Sequence, residues 1–164
     1  MKTRRVCETI LITDIPLPPS VNQMYSGGVF QGHYRRYPSK KFKDWANLCN
    51  QDYLEQGHIF RSMRALLEKM LDDQAWVLYL KLYFFVRTET IYCKDGGAKR
   101  WDVSNYIKPV EDLISDVLDY DDRMHWKISA EKIEITGEGD EHVNATISPI
   151  KARDNKNFLN IIGS

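Results

Sequence analysis

The sequence predicts an α+β fold, a single domain in which a mixed, largely antiparallel sheet is backed by helices. Three observations lead there. In "WVLYLKLYFFV" Val77, Tyr79, Lys81, Tyr83 and Phe85 alternate with Leu78, Leu80, Leu82 and Phe84, so the run is apolar on nearly both faces and suits a central strand. In "SNYIKPVEDLISDVL" Ile107, Val110, Leu113, Ile114, Val117 and Leu118 recur at steps of three and four, the mark of an amphipathic helix. The order strand, helices, strand, helix, strand, strand completes the argument. At 164 residues the chain fits one domain, 1–164, with a core over about 8–148 and a tail over 150–164.

The elements follow in order. "ETILITDIPL" leans to strand and is halted by proline. "LPPSVNQMYSGG" turns the chain as a surface loop, and "VFQGHYRRYPS" is a short strand or ribbon. Ser39 is the expected N-cap of a helix from about Lys40, with Phe42, Trp45, Ala46, Leu48 and Cys49 on its apolar face and fraying near Gly57. A second helix covers "IFRSMRALLEKMLDD", and the central strand follows. "KDGGAKR" is a glycine turn. Pro109 lacks the donor a helix interior uses, so the regular helix is expected to start near it, with 105–108 as an irregular first turn. "RMHWKISAEKIEIT", "GEGDE" and "HVNATISPI" are expected to form a C-terminal hairpin. The apolar residues Phe158, Leu159, Ile161 and Ile162 of the tail are expected to dock on the domain or on a second subunit.

Composition is that of a folded globular protein: 43% hydrophobic, 12% aromatic and 28% charged residues. Cys7, Cys49 and Cys93 form no CxxC pair, which speaks against a disulfide framework or a zinc knuckle and for a reducing, cytoplasmic setting. The basic N-terminus leads into an apolar run broken by Glu8, Thr13 and Asp14, and the longest apolar stretch is too short to span a bilayer, so neither targeting nor membrane residence is expected. Net charge is zero, but its distribution is uneven. Residues 1–50 hold eight Lys and Arg against three acids, whereas 101–140 hold eleven acids against four Lys and Arg. A nuclease can use that asymmetry, the basic arm holding phosphates and the carboxylates a divalent metal; solvated faces of ordinary composition are the competing account.

The acidic window "KRWDVSNYIKPVEDLISDVLDYDD" carries the densest chemistry. Asp102, Ser104, Asn105 and Lys108 crowd the start of its helix, and Asp121 and Asp122 follow its end. Magnesium commonly takes one or two protein carboxylates and keeps waters and substrate phosphate, so Asp102 and Asp122 suffice in number. A lysine one or two turns away, as Lys108 is, can stabilise charge building on a phosphate. The competing reading is purely structural: Asp, Ser and Asn start helices, acids suit the positive end of the helix dipole, and "DYDD" makes a turn.

The window resembles the signature of the RusA family of Holliday junction resolvases, D-x-D-N-x-x-K, then a helical acid, then a doubled Asp before a strand. Here it stands as "DVSNYIK", "VED" and "DYDDRMHW". "IPLPPSVNQMY" is similar to the family's "LPxPPSxNxxY" opening, and "YPSKKFKDW" falls where the family has a strand and a basic helix; the resemblance spans about residues 8–148. It implies a homodimer that binds a four-way DNA junction and nicks two strands symmetrically with magnesium or manganese, leaving 5′-phosphate and 3′-hydroxyl ends. It implies Asp102 and Asp122 as catalytic metal ligands, Lys108 as transition-state stabiliser, and Asp121 and Ser104 as weaker members of the metal site or braces behind it. Ser104 departs from the family, which has aspartate there. Neutral serine is a weaker ligand, so a structure-specific DNA-binding dimer with little catalysis is the alternative. A protein-interaction domain whose acids are structural is the third reading.

One geometric question stays open in the sequence. A helix over 109–118 alone is about 15 Å long. Asp102 and Asp122 then meet only if the chain folds back or a partner subunit supplies one of them. DNA contact is expected from Arg35, Arg36, Lys40, Lys41 and Lys43 among Tyr34, Tyr37 and Phe42, with a solvated helix face as the competing reading. His33, His58, His125 and His142 lack zinc spacing; His125, just after the doubled aspartate, either touches the site or is a structural strand histidine, the commoner case, and Trp101 beside Asp102 packs or shields the site.

Overall fold

The computed structural model describes residues 9–55, 57–71, 76–99, 101–136 and 139–151. The chain starts with strand β1 (Ile10–Pro16), whose Ile10, Ile12 and Ile15 are all buried. Strict alternation cannot bury both Ile12 and Ile15. A register shift between them, with Asp14 at φ 59° and its N–H donating to Asn144 Oδ1 at 2.9 Å, inserts the extra residue that turns Ile15 inward. The proline loop then contains one short helix, α1 (Val21–Met24), that the turn residues did not announce.

Strands β2 (Tyr25–Phe30) and β3 (His33–Pro38) form a separate two-stranded antiparallel ribbon. Its two-residue turn, Gln31 at φ 50° and Gly32 at φ 78°, has the positive dihedrals that fit the twist of a tight hairpin. Ser39 caps helix α2 (Lys40–Glu55) as expected: its Oγ accepts from the Phe42 N–H at 3.1 Å. Phe42, Trp45, Ala46 and Cys49 turn toward the core, while Leu48, at the stripe's edge, is left half exposed. Trp45 Nε1 donates to the Pro16 carbonyl at 2.8 Å and ties α2 to the end of β1. Helix α3 (Gly57–Leu71) leads to strand β4 (Trp76–Arg87).

The main sheet has the order β1-β6-β4-β5, with β5 over His125–Ile135 and β6 over His142–Lys151. β4 lies inside it, as its sequence requires, with Leu78, Leu80, Leu82, Phe84 and Val86 fully buried. Tyr79, Lys81, Tyr83 and Phe85 on its other face are only half-buried, so helices cover one side of the sheet and the other meets water. The expected C-terminal hairpin does not form. β4 stands between β5 and β6, antiparallel to β6 and parallel to β5. A strand with so much apolar surface satisfies its backbone on both edges by taking the interior place, and the helical crossover from β4 to β5 imposes the parallel pairing. The sheet is mixed and largely antiparallel, as the sequence predicts.

Between those parallel strands come the short helix α4 (Thr88–Ile91), a glycine turn at Asp95–Gly97 and helix α5 (Ser104–Leu118). α5 starts five residues before Pro109, earlier than expected. The first turn absorbs the irregularity through tight bonds from the Asn105 N–H to the Asp102 carbonyl and from the Tyr106 N–H to the Val103 carbonyl. Val110, Leu113, Ile114 and Leu118 of α5 pack into the core. Among the described residues no helix is long and apolar enough to cross a membrane. The tail residues expected to dock, from Phe158 onward, and the side chain of His58 lie outside the described residues.

Candidate functional site

α5 and the chain that returns beside it bring the acidic window together. Asp119, at φ 52°, ends the helix in the left-handed conformation, and the Tyr120 N–H closes onto the Ser115 carbonyl at 3.1 Å. The chain then doubles back through a single 3-10 turn over Asp122–Met124. As a result Asp122 Oδ2 accepts from Lys108 Nζ at 2.5 Å, although fourteen residues separate them. The chain thus folds back far enough to set Asp122 against Lys108 of the same chain.

Lys108 is the hub. Its ammonium also meets Asp112 Oδ1 at 2.8 Å and Glu111 Oε2 at 3.4 Å, one helical turn on. Partial burial pulls its pKa down, but the hydrogen bonds with Asp112 and Asp122 and the charge of Glu111 outweigh this and hold it above the ordinary lysine value. Lys108 is thus a fixed cation at neutral pH.

Behind the lysine runs a chain that the sequence reading missed. Buried Glu111 offers Oε1 to His125 Nδ1 at 3.0 Å, and His125 Nε2 meets the Tyr120 hydroxyl at 2.7 Å. The His125 side chain is completely buried. Burial, then the charges of Glu111 and Asp122, raise the Tyr120 hydroxyl above its usual pKa, which keeps it neutral. The available signal was the placement of Glu111 and Asp112 three and four residues after Lys108, where helix geometry makes them its neighbours.

At the other end of the same helix, Asp102 is exposed and ionised. Its Oδ1 accepts from the Ser104 Oγ at 2.8 Å and the Ser104 N–H at 3.0 Å, and these bonds lower its pKa. Ser104 is accordingly a brace on Asp102, donating to it rather than adding charge. Asn105 Nδ2 reaches Asp102 Oδ2 at 3.4 Å. Ser104 and Asn105 precede Lys108 by four and three residues, so the braces of Asp102 and Lys108 share one face of the helix. Trp101 packs, stacked on Tyr106 with ring centres 4.6 Å apart.

Asp121 is differently employed. Its carboxylate caps the 3-10 turn, accepting from the Arg123 N–H at 2.9 Å, and forms a bidentate pair with the Arg123 guanidinium. Arg123 lowers its pKa to about 2. Both oxygens are therefore committed to the turn.

Among the described residues no group of three or more His, Cys, Asp or Glu is arranged to hold a metal ion. The convergence of Glu111, Asp112 and Asp122 is on an ammonium. Asp102 is exposed and Asp122 partly so, and each is a hard oxygen donor of the kind magnesium takes when water and phosphate complete its shell.

The five expected DNA-contacting cations fall into two groups. Arg35 and Arg36 lie on β3 of the ribbon, and Lys40, Lys41 and Lys43 are exposed along the first turn of α2. No protein-family model matches the chain, and no curated protein gives a significant match.

Proposed function

We propose that the protein is a magnesium-dependent (or manganese-dependent) endodeoxyribonuclease that resolves four-way DNA junctions by paired nicks, acting as a homodimer. The observation that carries the reading is Lys108 held against Asp122 by a chain that doubles back along α5, with ionised Asp102 at the start of the same helix. The sequence motif alone left those residues strung along a helix. Asp102 and Asp122 would hold the divalent ion, which when bound supplies Lewis-acid activation of water and of the scissile phosphate. Lys108, a permanent cation, stabilises the charge that develops on the phosphate during in-line displacement. Glu111 and Asp112 fix its ammonium, and Ser104 and Asn105 fix the Asp102 carboxylate.

Ser104 favours a second reading. Its hydroxyl donates to Asp102 where the resembled family has another carboxylate, so one negative charge fewer faces the cation. A junction-binding dimer with weak nicking follows if that charge is needed. Cleavage of a labelled mobile junction and of matched linear duplex in magnesium, manganese or EDTA tests both readings. Symmetric nicks in the junction alone, lost in EDTA, support the endonuclease. Tight binding without nicks in either metal supports the second reading.

A further inference from the structure

The β2–β3 ribbon leaves its surface uncovered on both faces. Val29 is 73% exposed, Tyr34 68%, Phe30 54% and Tyr37 45%, and every residue of β3 is exposed. A two-stranded hairpin of this kind gains little stability in water. Local chemistry nevertheless sets its side chains in place. The register puts Tyr25, Val29, Tyr34 and Arg36 on one face, and Phe30, His33, Arg35 and Tyr37 on the other. Gly27 and Gly28 face Arg36 and Arg35 across the ribbon and leave gaps there. Into these the long side chains lean diagonally: Arg36 lies 5.0 Å over the Tyr25 ring, and Arg35 5.7 Å over Phe30. Tyr34 lies across Gly27 so closely that a Cβ at Gly27 would come within 1.9 Å of its hydroxyl oxygen. Each face thus presents exposed rings beside a guanidinium.

Charge names the occupant. Residues 15–43 contain five Lys and Arg and no acid. Three of them, Lys40, Lys41 and Lys43, open α2 at the positive end of its dipole, with no acid in the first turn. That arrangement opposes helix stability. A polyanion relieves it.

We infer that the β2–β3 ribbon is a two-faced stacking arm for unpaired DNA bases. Phe30 and Tyr34 receive bases opened at a branch point, while Arg35, Arg36 and the lysines of α2 hold the flanking phosphates. Stacking on aromatic faces is tolerant of sequence and is reinforced by arginine. The inference deepens the junction reading and rests on it for the source of the opened bases.

The test uses the full chain and an immobile four-way junction with 2-aminopurine at the branch point, read by fluorescence and by binding. The wild-type protein should change the emission at the branch point on binding. Phe30→Ala/Tyr34→Ala should lose most of that change and bind about tenfold more weakly, with an unaltered salt slope because no cation is removed. Gly27→Ala keeps Tyr34 but displaces its ring, and should lose part of the signal. Wild-type emission change and affinity in both variants would overturn the stacking arm even if nicking persists. Loss of a dimer in light scattering, with the emission change retained, would overturn it in favour of contact between two copies. If the protein stacks bases of oligothymidylate through Phe30 and Tyr34 yet never nicks a junction, the stacking arm stands and the endonuclease reading falls. Binding to neither DNA overturns both.

Discussion

The acidic site on α5 and the basic ribbon of β2 and β3 are built on opposite principles. Along α5 the charged groups engage one another: Lys108 is held by three carboxylates, Asp102 by Ser104, and Glu111 by a completely buried histidine. On the ribbon the side chains lie open to water and lean on one another through rings and guanidinium groups. Under the proposed function, the difference assigns one task to each. Charge stabilisation in a displacement needs donors whose positions are fixed before substrate arrives. Reading an opened strand needs exposed area on a surface that can adapt to it.

The comparison breaks most visibly at the carboxylates. Asp122→Asn should abolish metal-dependent nicking while leaving junction affinity close to wild type, measured by single-turnover cleavage at saturating protein. Because Asp122 meets Lys108 of its own chain, a heterodimer of one Asp102→Asn and one Asp122→Asn subunit should recover no activity. Recovery in purified heterodimers would place the two residues in different subunits' sites. Next in size, Lys108→Met should slow cleavage by about 10²–10³-fold, the usual cost of removing one preorganised charge donor. The ribbon side answers differently: Lys40→Gln/Lys41→Gln/Lys43→Gln should weaken binding and flatten its salt dependence by about 0.9 per lost phosphate contact, with the nicking rate of bound junction unchanged.

Smaller effects sharpen the contrast in stability. Glu111→Ala leaves buried His125 without its Nδ1 partner and should cost about 1–3 kcal/mol in urea unfolding. Asp121 gives a pH signature. Its folded pKa, about 2, lies below the ordinary aspartate value of about 3.9, so its pair with Arg123 contributes stability above pH ~4 that is lost as pH falls through about 2. Asp121→Asn should flatten the acid limb of stability slightly, since the pair is exposed.

Much of this was legible in the residues. Alternation in β4, the 3–4 spacing of α5 and the Ser39 cap each follow from local rules, and the structure has them. The parallel placement of β5 was not legible. A hairpin and a crossover leave the same alternation in the sequence, and only the demand of β4 for two neighbours decides between them. The start of α5 lies before Pro109, where the sequence places the first regular turn, because the tight bonds of Asn105 and Tyr106 carry the helix through 104–108. At the site, the types and spacing of Asp102, Lys108 and Asp122 were visible, but the reversal at Asp119 that joins the last two depends on a left-handed residue with no glycine to mark it. Glu111, His125 and Tyr120 were hidden for a related reason, since their contacts form only after that reversal.

The most direct test compares wild type and Asp102→Asn on a mobile four-way junction at matched binding, with magnesium, manganese or EDTA. Paired nicks that need metal and vanish in Asp102→Asn, with binding retained, are the expected result. Nicks that survive in EDTA, or an Asp102→Asn protein that cuts as fast as wild type, would contradict the assignment of this helix face as the catalytic centre.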